Sequence, residues 1–273
     1  MLKFAAIILL TLTATIARSQ NIVTALYLNE NKDYKTAQPK KVEEITTTYT
    51  EDSKRTERKV KTFDSVGMPL TEERYNRNDD LIARLVYTND PVKKLVLKRF
   101  YEEVGKYATA KETNTYTYDS DNALVNVLSQ DENDKITQRC DIVNDQKGHP
   151  VELNLYNQFG IASGKETATY FYDRNTVIIT KLATDGSSLT DTTKITLKNA
   201  HSFAEKDETY NPKGDLIKWS GKNADGAKTS FEEEYKYDKA GNCISDILYS
   251  ITTSAYGDKE KKLEREIRRK YTY

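Results

Sequence analysis

The sequence contains few of the residues on which active sites and metal sites are most often built. Its 273 residues include two cysteines, two histidines, one tryptophan and five prolines. Two cysteines and two histidines at these distant positions give no zinc-type spacing. In an oxidising compartment Cys140 and Cys243 could form one bridge, but two buried free thiols are favoured because free cysteine packs like a small hydrophobe. We expect no metal site and no cofactor.

The chain also lacks an excess of charge of either sign. The 42 basic residues are balanced by 42 acidic ones, and no basic block interrupts the chain. A nucleic-acid surface requires clustered lysine and arginine that displace counterions from phosphates. Nucleic acid is therefore not an expected partner. With 19 tyrosines and 7 phenylalanines, the composition is nevertheless that of a folded protein rather than a disordered one.

Long apolar runs are confined to the N-terminus. Residues 4–16 are predominantly apolar and precede Ala17 and Ser19, in the A-x-S spacing that a signal peptidase accepts. The run is shorter than the roughly 20 residues of a spanning helix, so a cleaved signal peptide over residues 1–19 is favoured over an uncleaved anchor. Cleavage would leave Gln20 as the first residue of an exported protein, which is periplasmic, at the cell surface or secreted. No later stretch is apolar enough to form a transmembrane helix.

The chain does contain a repeated phrase. YTYDSDN stands at 116–122, YFYDRNT at 170–176 and YKYDKAGN at 235–242, and YTY recurs at 271–273. Tyr-x-Tyr places two aromatic rings on one face of a strand. The following Asp or Asn starts a turn by accepting backbone hydrogen bonds, and Gly or Asn further on tolerates the positive φ that closes it. Each copy therefore predicts a strand, a tight turn and a return strand.

Looser copies extend the pattern through the chain. They read FDSVG (63–67), YNRND (75–79), DENDK (131–135), NDQKG (144–148), YNQFG (156–160) and YNPKG (210–214). The spacing predicts an all-β fold, an extended antiparallel β-hairpin meander of about 14–16 strands in a twisted or curled sheet. Residues 258–271 could form a charged helix, but a strand is favoured because the segment runs into YTY. We expect residues 39–273 to form the hairpin array as a single domain, and residues 20–38 to be an N-terminal tether or irregular segment.

The phrase at 235–242 resembles the YD repeat of Rhs-like proteins, and the resemblance extends over about 40–273. That family implies secretion or surface exposure and a β-rich array, which large members wind into a shell around a toxin. This chain has no toxin region after the repeats and is far too short for a full shell. The resemblance therefore predicts a short, toxin-less exported member. The family's occasional association with sugar binding is a further pointer.

Few residues indicate a catalytic or metal-dependent chemistry. His149 and His201 each lie at a turn without a nucleophile motif nearby, which is typical of solvated side chains. DSDN at 119–122 and DENDK at 131–135 contain oxygen ligands for calcium but lack the EF-hand spacing, and turn formation explains both. A glycosidase would need two carboxyl groups held across a cleft. We expect no enzymatic activity.

Aromatic side chains are the candidate binding residues. Trp219 lies in the middle of the strand DLIKWSGK, and Tyr235 and Tyr237 belong to the repeat copy at 235–242. Exposed rings can stack on sugar faces at a low entropy cost, whereas cross-strand aromatic pairs stabilise a sheet. The position of the tyrosines beside turns favours structure. Trp219, if exposed, is the first expected ligand contact.

The leading hypothesis is a non-enzymatic exported binding or scaffolding protein of the cell envelope. Its ligand would be a glycan or cell-envelope polymer, with a protein partner as the alternative. A glycan-active hydrolase would require a cleft with converging acids. An outer-membrane barrel is disfavoured, because KLEREIRRKYTY at 262–273 places arginines at alternate positions where a lipid-facing strand needs apolar residues.

Overall fold

The computed structural model describes residues 20–28, 37–105, 109–173, 176–182, 188–196, 208–222, 228–253 and 259–273. These residues form one short helix and seventeen strands of a single sheet. The all-β prediction is confirmed. The number of strands slightly exceeds the expected one, and the shortest of them has two residues. The predicted signal peptide, residues 1–19, lies outside the described residues.

The helix and strands follow one another along the chain. Helix α1 (Ile22–Tyr27) precedes β1 (Lys41–Tyr49), β2 (Lys54–Phe63), β3 (Pro69–Tyr75), β4 (Leu81–Asp90), β5 (Leu95–Val104), β6 (Thr109–Tyr118), β7 (Leu124–Gln130) and β8 (Ile136–Asn144). The second half contains β9 (Pro150–Asn157), β10 (Ala162–Phe171), β11 (Thr176–Leu182), β12 (Ser188–Thr196), β13 (Thr209–Tyr210), β14 (Leu216–Lys222), β15 (Lys228–Tyr237), β16 (Cys243–Thr253) and β17 (Lys259–Thr272). The strand predicted near the C-terminus is thus present as β17.

The sheet is an antiparallel meander with one long-range connection. Successive strands pair from β1 to β12 and from β13 to β17, and β17 also pairs with β1. In that pairing Val42 lies opposite Tyr271 and Thr46 opposite Ile267. The sheet order is therefore β12 to β1 followed by β17 to β13.

The two faces of the sheet differ in burial. We call the face that contacts α1 the inner face; it carries Cys140 and Ile142 of β8, opposite Leu155 and Leu153 of β9. Side chains alternate between the faces of a strand, so Ile142 is 6% exposed and its neighbour Val143, on the outer face, is 52% exposed. The main apolar cluster joins inner-face residues of β5 to β11 with Ile22 of α1. The core is therefore enclosed by one curled sheet.

Residues 20–28, the first described part of the predicted N-terminal tether or irregular segment, contain the capped helix α1. Asn21 caps α1 by accepting a hydrogen bond from the Thr24 amide at 2.8 Å, as N-cap residues do. The Ile22 side chain is 0% exposed, and its amide donates to the Glu166 carboxylate at 2.8 Å. The side-chain Nε2 of Gln20 donates to Asn114 Oδ1 at 3.4 Å. An N-cap and one apolar residue are enough to turn residues 20–28 into part of the interior.

Eight turns share one hydrogen-bonding arrangement, and all eight coincide with a predicted turn phrase. Each begins at an Asp or Asn whose backbone bonds the third and fourth residues that follow. In the turn from Asn157, for example, the side-chain oxygen accepts from the Phe159 and Ile161 amides at 2.9 and 3.1 Å. The eight turns begin at Asp64, Asn76, Asp119, Asp131, Asp145, Asn157, Asn211 and Asp238. The third residue after each has positive φ.

We expect Gly160→Ala to lower the free energy of unfolding by about 1–2 kcal/mol, because alanine at positive φ brings Cβ against the following carbonyl. Gly160 has φ 73°, and a Cβ there would meet nothing within 4 Å, so the cost is confined to the backbone. Gly160→Asn should cost less, since Asn122 holds the same place with φ 65°. Urea unfolding of the three proteins measures both values. Equal stability of the alanine variant and the wild type would contradict this account.

Candidate functional site

Tyr235 and Tyr237 lie on the inner face of β15, and both are engaged in holding neighbouring elements. The Tyr237 hydroxyl donates to Asp215 and accepts from Asn211 Nδ2 at 2.7 Å, which fixes it to the turn between β13 and β14. Lys213 Nζ lies 3.5 Å from the centroid of the Tyr237 ring. The Tyr235 hydroxyl donates to Glu233 at 2.8 Å. The hydroxyls of Tyr235 and Tyr237 and the ring of Tyr237 are therefore engaged in contacts that stabilise the fold.

The Tyr-x-Tyr phrase at 170–172 makes similar contacts. Tyr170 donates to the carbonyl of Pro150 at 3.0 Å, and Tyr172 donates to the Asp145 carboxylate of the turn two strands earlier. Burial and then the bond to Asp145 raise the pKa of Tyr172, so the hydroxyl remains a donor. In these two copies the second tyrosine, at the end of a strand, thus donates a hydrogen bond to a carboxylate of an earlier turn.

The final YTY clasps a turn in the same way. The Tyr271 hydroxyl donates to the Cys243 carbonyl at 2.7 Å, and the Tyr273 hydroxyl donates to Asp238. Asn242 Nδ2 also donates to Tyr273, at 2.9 Å. Both rings stack, with centroids 6.3 Å apart. The last strand therefore ends on the turn between β15 and β16.

Trp219 is placed differently from the two tyrosines. It lies opposite Phe231 across the β14–β15 pair, and the two half-buried rings stack with centroids 5.4 Å apart and planes at 18°. We call Trp219 and Phe231 the ring pair. Alternation along β15 places the pair on the inner face with Tyr235, but four residues of strand separate Phe231 from Tyr235, about 14 Å. The structure therefore does not bring Trp219 and Tyr237 into one contact surface.

Glu233, two residues along β15 from Phe231, belongs to a group of charged side chains that we call the acid–arginine cluster: Glu44, Glu233, Asp246, Arg265 and Arg269. Arg265 Nη2 lies 2.7 Å from Glu233 Oε1 and 3.7 Å from Asp246 Oδ1. Arg269 reaches Asp246 with Nη1 at 2.8 Å and Glu44 with Nε at 2.7 Å. Asp246 is only 4% exposed. The cluster joins β15, β16, β17 and β1 across the inner face.

Burial controls the electrostatics of this cluster. It raises the pKa of Glu233, assisted by the nearby Asp246 carboxylate, while the hydroxyl of Tyr235 and the guanidinium of Arg265 oppose the rise. Burial alone would lower the pKa of Arg269, but Glu44 and Asp246 outweigh it and raise that pKa. Among the described residues, Asp246 Oδ1 and Arg265 Nε have no hydrogen-bond partner. The cluster therefore keeps unsatisfied polar capacity on the inner face, where Asp246 lies opposite Tyr235.

The remaining candidate residues have structural surroundings. His149 Nδ1 lies 2.9 Å from the Tyr172 hydroxyl, and its ring stacks on Tyr170 with centroids 5.2 Å apart. His201 lies outside the described residues. Cys140 and Cys243 are both free thiols; burial raises the pKa of Cys140 to about 12, which leaves it protonated and unreactive.

The two phrases considered for calcium are turns. Asp119 Oδ1 accepts the amides of Asp121 and Ala123 at 2.9 Å each, and Asp131 Oδ1 accepts those of Asn133 and Lys135. In the described ranges no three His, Cys, Asp or Glu side chains are grouped so that they could hold a metal ion. The carboxylates of Asp119 and Asp131 are thus engaged with backbone amides of their own turns.

The sequence alone did not reveal the acid–arginine cluster. Its five members come from four strands, and Glu44 and Arg269 are 225 positions apart. The available signal was a charged residue at an inward position, such as Glu233 between Phe231 and Tyr235. That pattern marks a polar interior only after the pairing of β17 with β1 is known.

Comparisons with known proteins give structural likeness without sequence relatives. No protein-family model and no curated protein matches the chain. A porin-like protein from Bacteroides uniformis is similar over 89% of this chain and 100% of its own, with 13% identity and a TM-score of 0.48. The TcdB2-TccC3-Cdc42 structure is similar over 80% of this chain and 16% of its own, with 12% identity and a TM-score of 0.21.

A putative outer membrane lipoprotein-sorting protein domain from Vibrio parahaemolyticus is similar over 92% of this chain and 93% of its own, with 11% identity and a TM-score of 0.23. Among the described helical residues, none forms a segment long and apolar enough to span a bilayer.

Proposed function

We propose that this protein is an exported, non-enzymatic binding protein of the cell envelope that holds a saccharide against the ring pair on the inner face of its sheet. The observation that carries the proposal is the stacked, half-buried Trp219–Phe231 pair, which lies beside fixed charged side chains. Ligand sites commonly combine apolar rings with a few placed polar groups.

A saccharide fits this combination better than a purely apolar ligand. The rings offer a flat apolar surface for the face of a sugar, and aromatic side chains lose little entropy on binding. Tyr235 and Tyr237 use their hydroxyls within the sheet, so the ring pair supplies the contact area. The neighbouring Glu233 and Arg265 supply acceptors and donors for sugar hydroxyls. This favours a glycan or cell-envelope polymer over a protein partner.

The acids of the cluster support a binding role rather than catalysis. Both oxygens of Glu233 already accept hydrogen bonds, from Arg265 and Tyr235, and Asp246 is held by Arg269. A general acid or base must reach the proton it transfers in the bound substrate. These carboxylates instead fix the positions of Arg265, Tyr235 and Arg269 on the inner face.

Binding of the protein beginning at Gln20 to an array of glycans and cell-envelope polymers tests the proposal. We expect a specific hit that Trp219→Ala weakens about tenfold or more, the loss of one aromatic contact. Phe159→Ala is the matched control, because Phe159 is 73% exposed on a turn far along the chain from the ring pair. Thermal unfolding verifies that both variants remain folded.

Two results would overturn the proposal. A blank array with folded protein would eliminate the glycan ligand and favour a protein partner, to be sought by cross-linking in the native envelope. Cleavage of a bound glycan that is lost in Glu233→Gln would make the protein a hydrolase.

A further inference from the structure

The outer face carries a cleft that the saccharide site does not use. It has a volume of about 640 Å³ and lies over β15, β16 and β17, near the turn that begins at Asp238. The side chains that carry its chemistry are Lys236, Ser245, Glu266, Arg268, Lys270 and Tyr273. A volume of this size is typical of small-molecule sites, which run from about 300 to 1,000 Å³.

Three residues of the cleft form a row across three strands. Lys236 of β15 lies opposite Ser245 of β16, and Ser245 lies opposite Arg268 of β17. Directly opposed residues share a face, and neighbouring strands are about 4.8 Å apart. The row therefore presents a cation, a hydroxyl and a second cation over about 10 Å. Lys270 follows Arg268 on the same face, about 7 Å further along β17.

The two lysines of the cleft differ from Lys111 and Lys165, which lie elsewhere on the outer face. Lys111 pairs with Glu102 at 3.6 Å, and Lys165 pairs with Glu152 at 2.8 Å. In the cleft, Glu266 is paired with Arg268 at 2.7 Å. Lys236 and Lys270 form no ion pair with any residue of the described ranges. The cleft thus has an excess of positive charge.

The acid at the edge of the cleft, Asp238, offsets only part of that excess, because the lining contains more cations than carboxylates. The Asp238 carboxylate accepts hydrogen bonds from the Tyr273 hydroxyl and from the amide of Asn242 in its own turn. These bonds lower the pKa of Asp238 against the opposing effect of burial, so its charge is directed into the turn. Lys236 and Lys270 remain the unneutralised charges of the site.

We propose that this cleft binds a phosphate-type oxyanion, as free phosphate or as the phosphate of a larger molecule. A tetrahedral oxyanion accepts hydrogen bonds in several directions, and the row offers donors from three strands. Lysine binds phosphate as a point charge and arginine as a planar donor. The Ser245 hydroxyl, between Lys236 and Arg268 in the row, is a further hydrogen-bond donor. Lys236, Ser245 and Arg268 lie on the face opposite the ring pair, so this proposal does not rest on the saccharide site.

Calorimetric titration of the protein beginning at Gln20 tests the proposal with three probes: inorganic phosphate, phosphatidylglycerol vesicles and phosphatidylcholine vesicles. We expect saturable binding of phosphate, or of phosphatidylglycerol but not phosphatidylcholine. The first result identifies a soluble phosphate as the source, and the second a lipid headgroup. Either interaction should weaken as salt is raised, because exposed charges are screened.

A matched pair of double variants makes the test specific. Lys236→Gln with Lys270→Gln should reduce the affinity about tenfold or more, since a hydrogen bond to a charged group contributes about 1.5–3 kcal/mol. Lys111→Gln with Lys165→Gln removes the same charge from the outer face elsewhere and should change it less than about twofold. An equal loss in both variants, or no saturable binding by the wild type, would overturn the proposal.

Discussion

Replacing Arg269 by methionine should lower the free energy of unfolding by about 3–5 kcal/mol, because it leaves two carboxylates without their shared cation. Arg269 lies between Glu44 of β1 and Asp246 of β16, with contacts of 2.7 and 2.8 Å. Asp246 is almost fully buried, so solvent has little access to replace the lost partner. Chemical denaturation monitored by circular dichroism provides the measurement.

Arg268→Met is the control for this experiment. Arg268 is the next residue along β17, points to the outer face and pairs with Glu266 at 2.7 Å while remaining largely exposed. Exposed pairs of this kind contribute about 1 kcal/mol or less. A large loss in Arg268→Met, or a small one in Arg269→Met, would mean that the inner cluster does not hold β17 to its neighbours.

Ile22→Ala should lower the free energy of unfolding by about 2–5 kcal/mol, the usual cost of truncating a buried aliphatic side chain. Ile22 is 0% exposed and belongs to the main apolar cluster with Val127, Leu153 and Val177. The α1 backbone is fixed in place by Glu166, so the neighbours cannot move fully into the space. Urea denaturation again gives the value.

Ile161→Ala offers the same chemical change at a site that is 62% exposed. It should alter stability by less than about 0.5 kcal/mol. If the two isoleucine variants proved equally stable, residues 20–28 would be a dispensable attachment rather than part of the core.

The turns could be predicted from the sequence because their causes are local. An Asp or Asn such as Asn211 bonds amides within four residues, and Gly214 supplies the positive φ of the same turn. Nothing distant has to be known for either effect. The alternation of apolar and polar side chains along strands such as β9 is equally a local pattern. The all-β fold could therefore be predicted from the sequence.

The helix and the candidate site depend on distant pairing. The segment 20–28 is short and shows no strong helical period. Its position is set by hydrogen bonds to Glu166 and Asn114, which lie far along the chain. Trp219 could be selected as a lone aromatic residue in a strand. Its partnership with Phe231 required the register of β14 on β15, and the cluster beside it required β17 to meet β1.

The pairing of β17 with β1 also bears on how the chain folds. Most strands meet a sequence neighbour across a short turn, so hairpins can form as soon as both strands exist. β1 must instead keep one edge open until β17 is available, and closing so long a loop is entropically slow. An unpaired edge invites association with other chains during that interval. The seam between the first and last strands is therefore the step at which folding and aggregation compete.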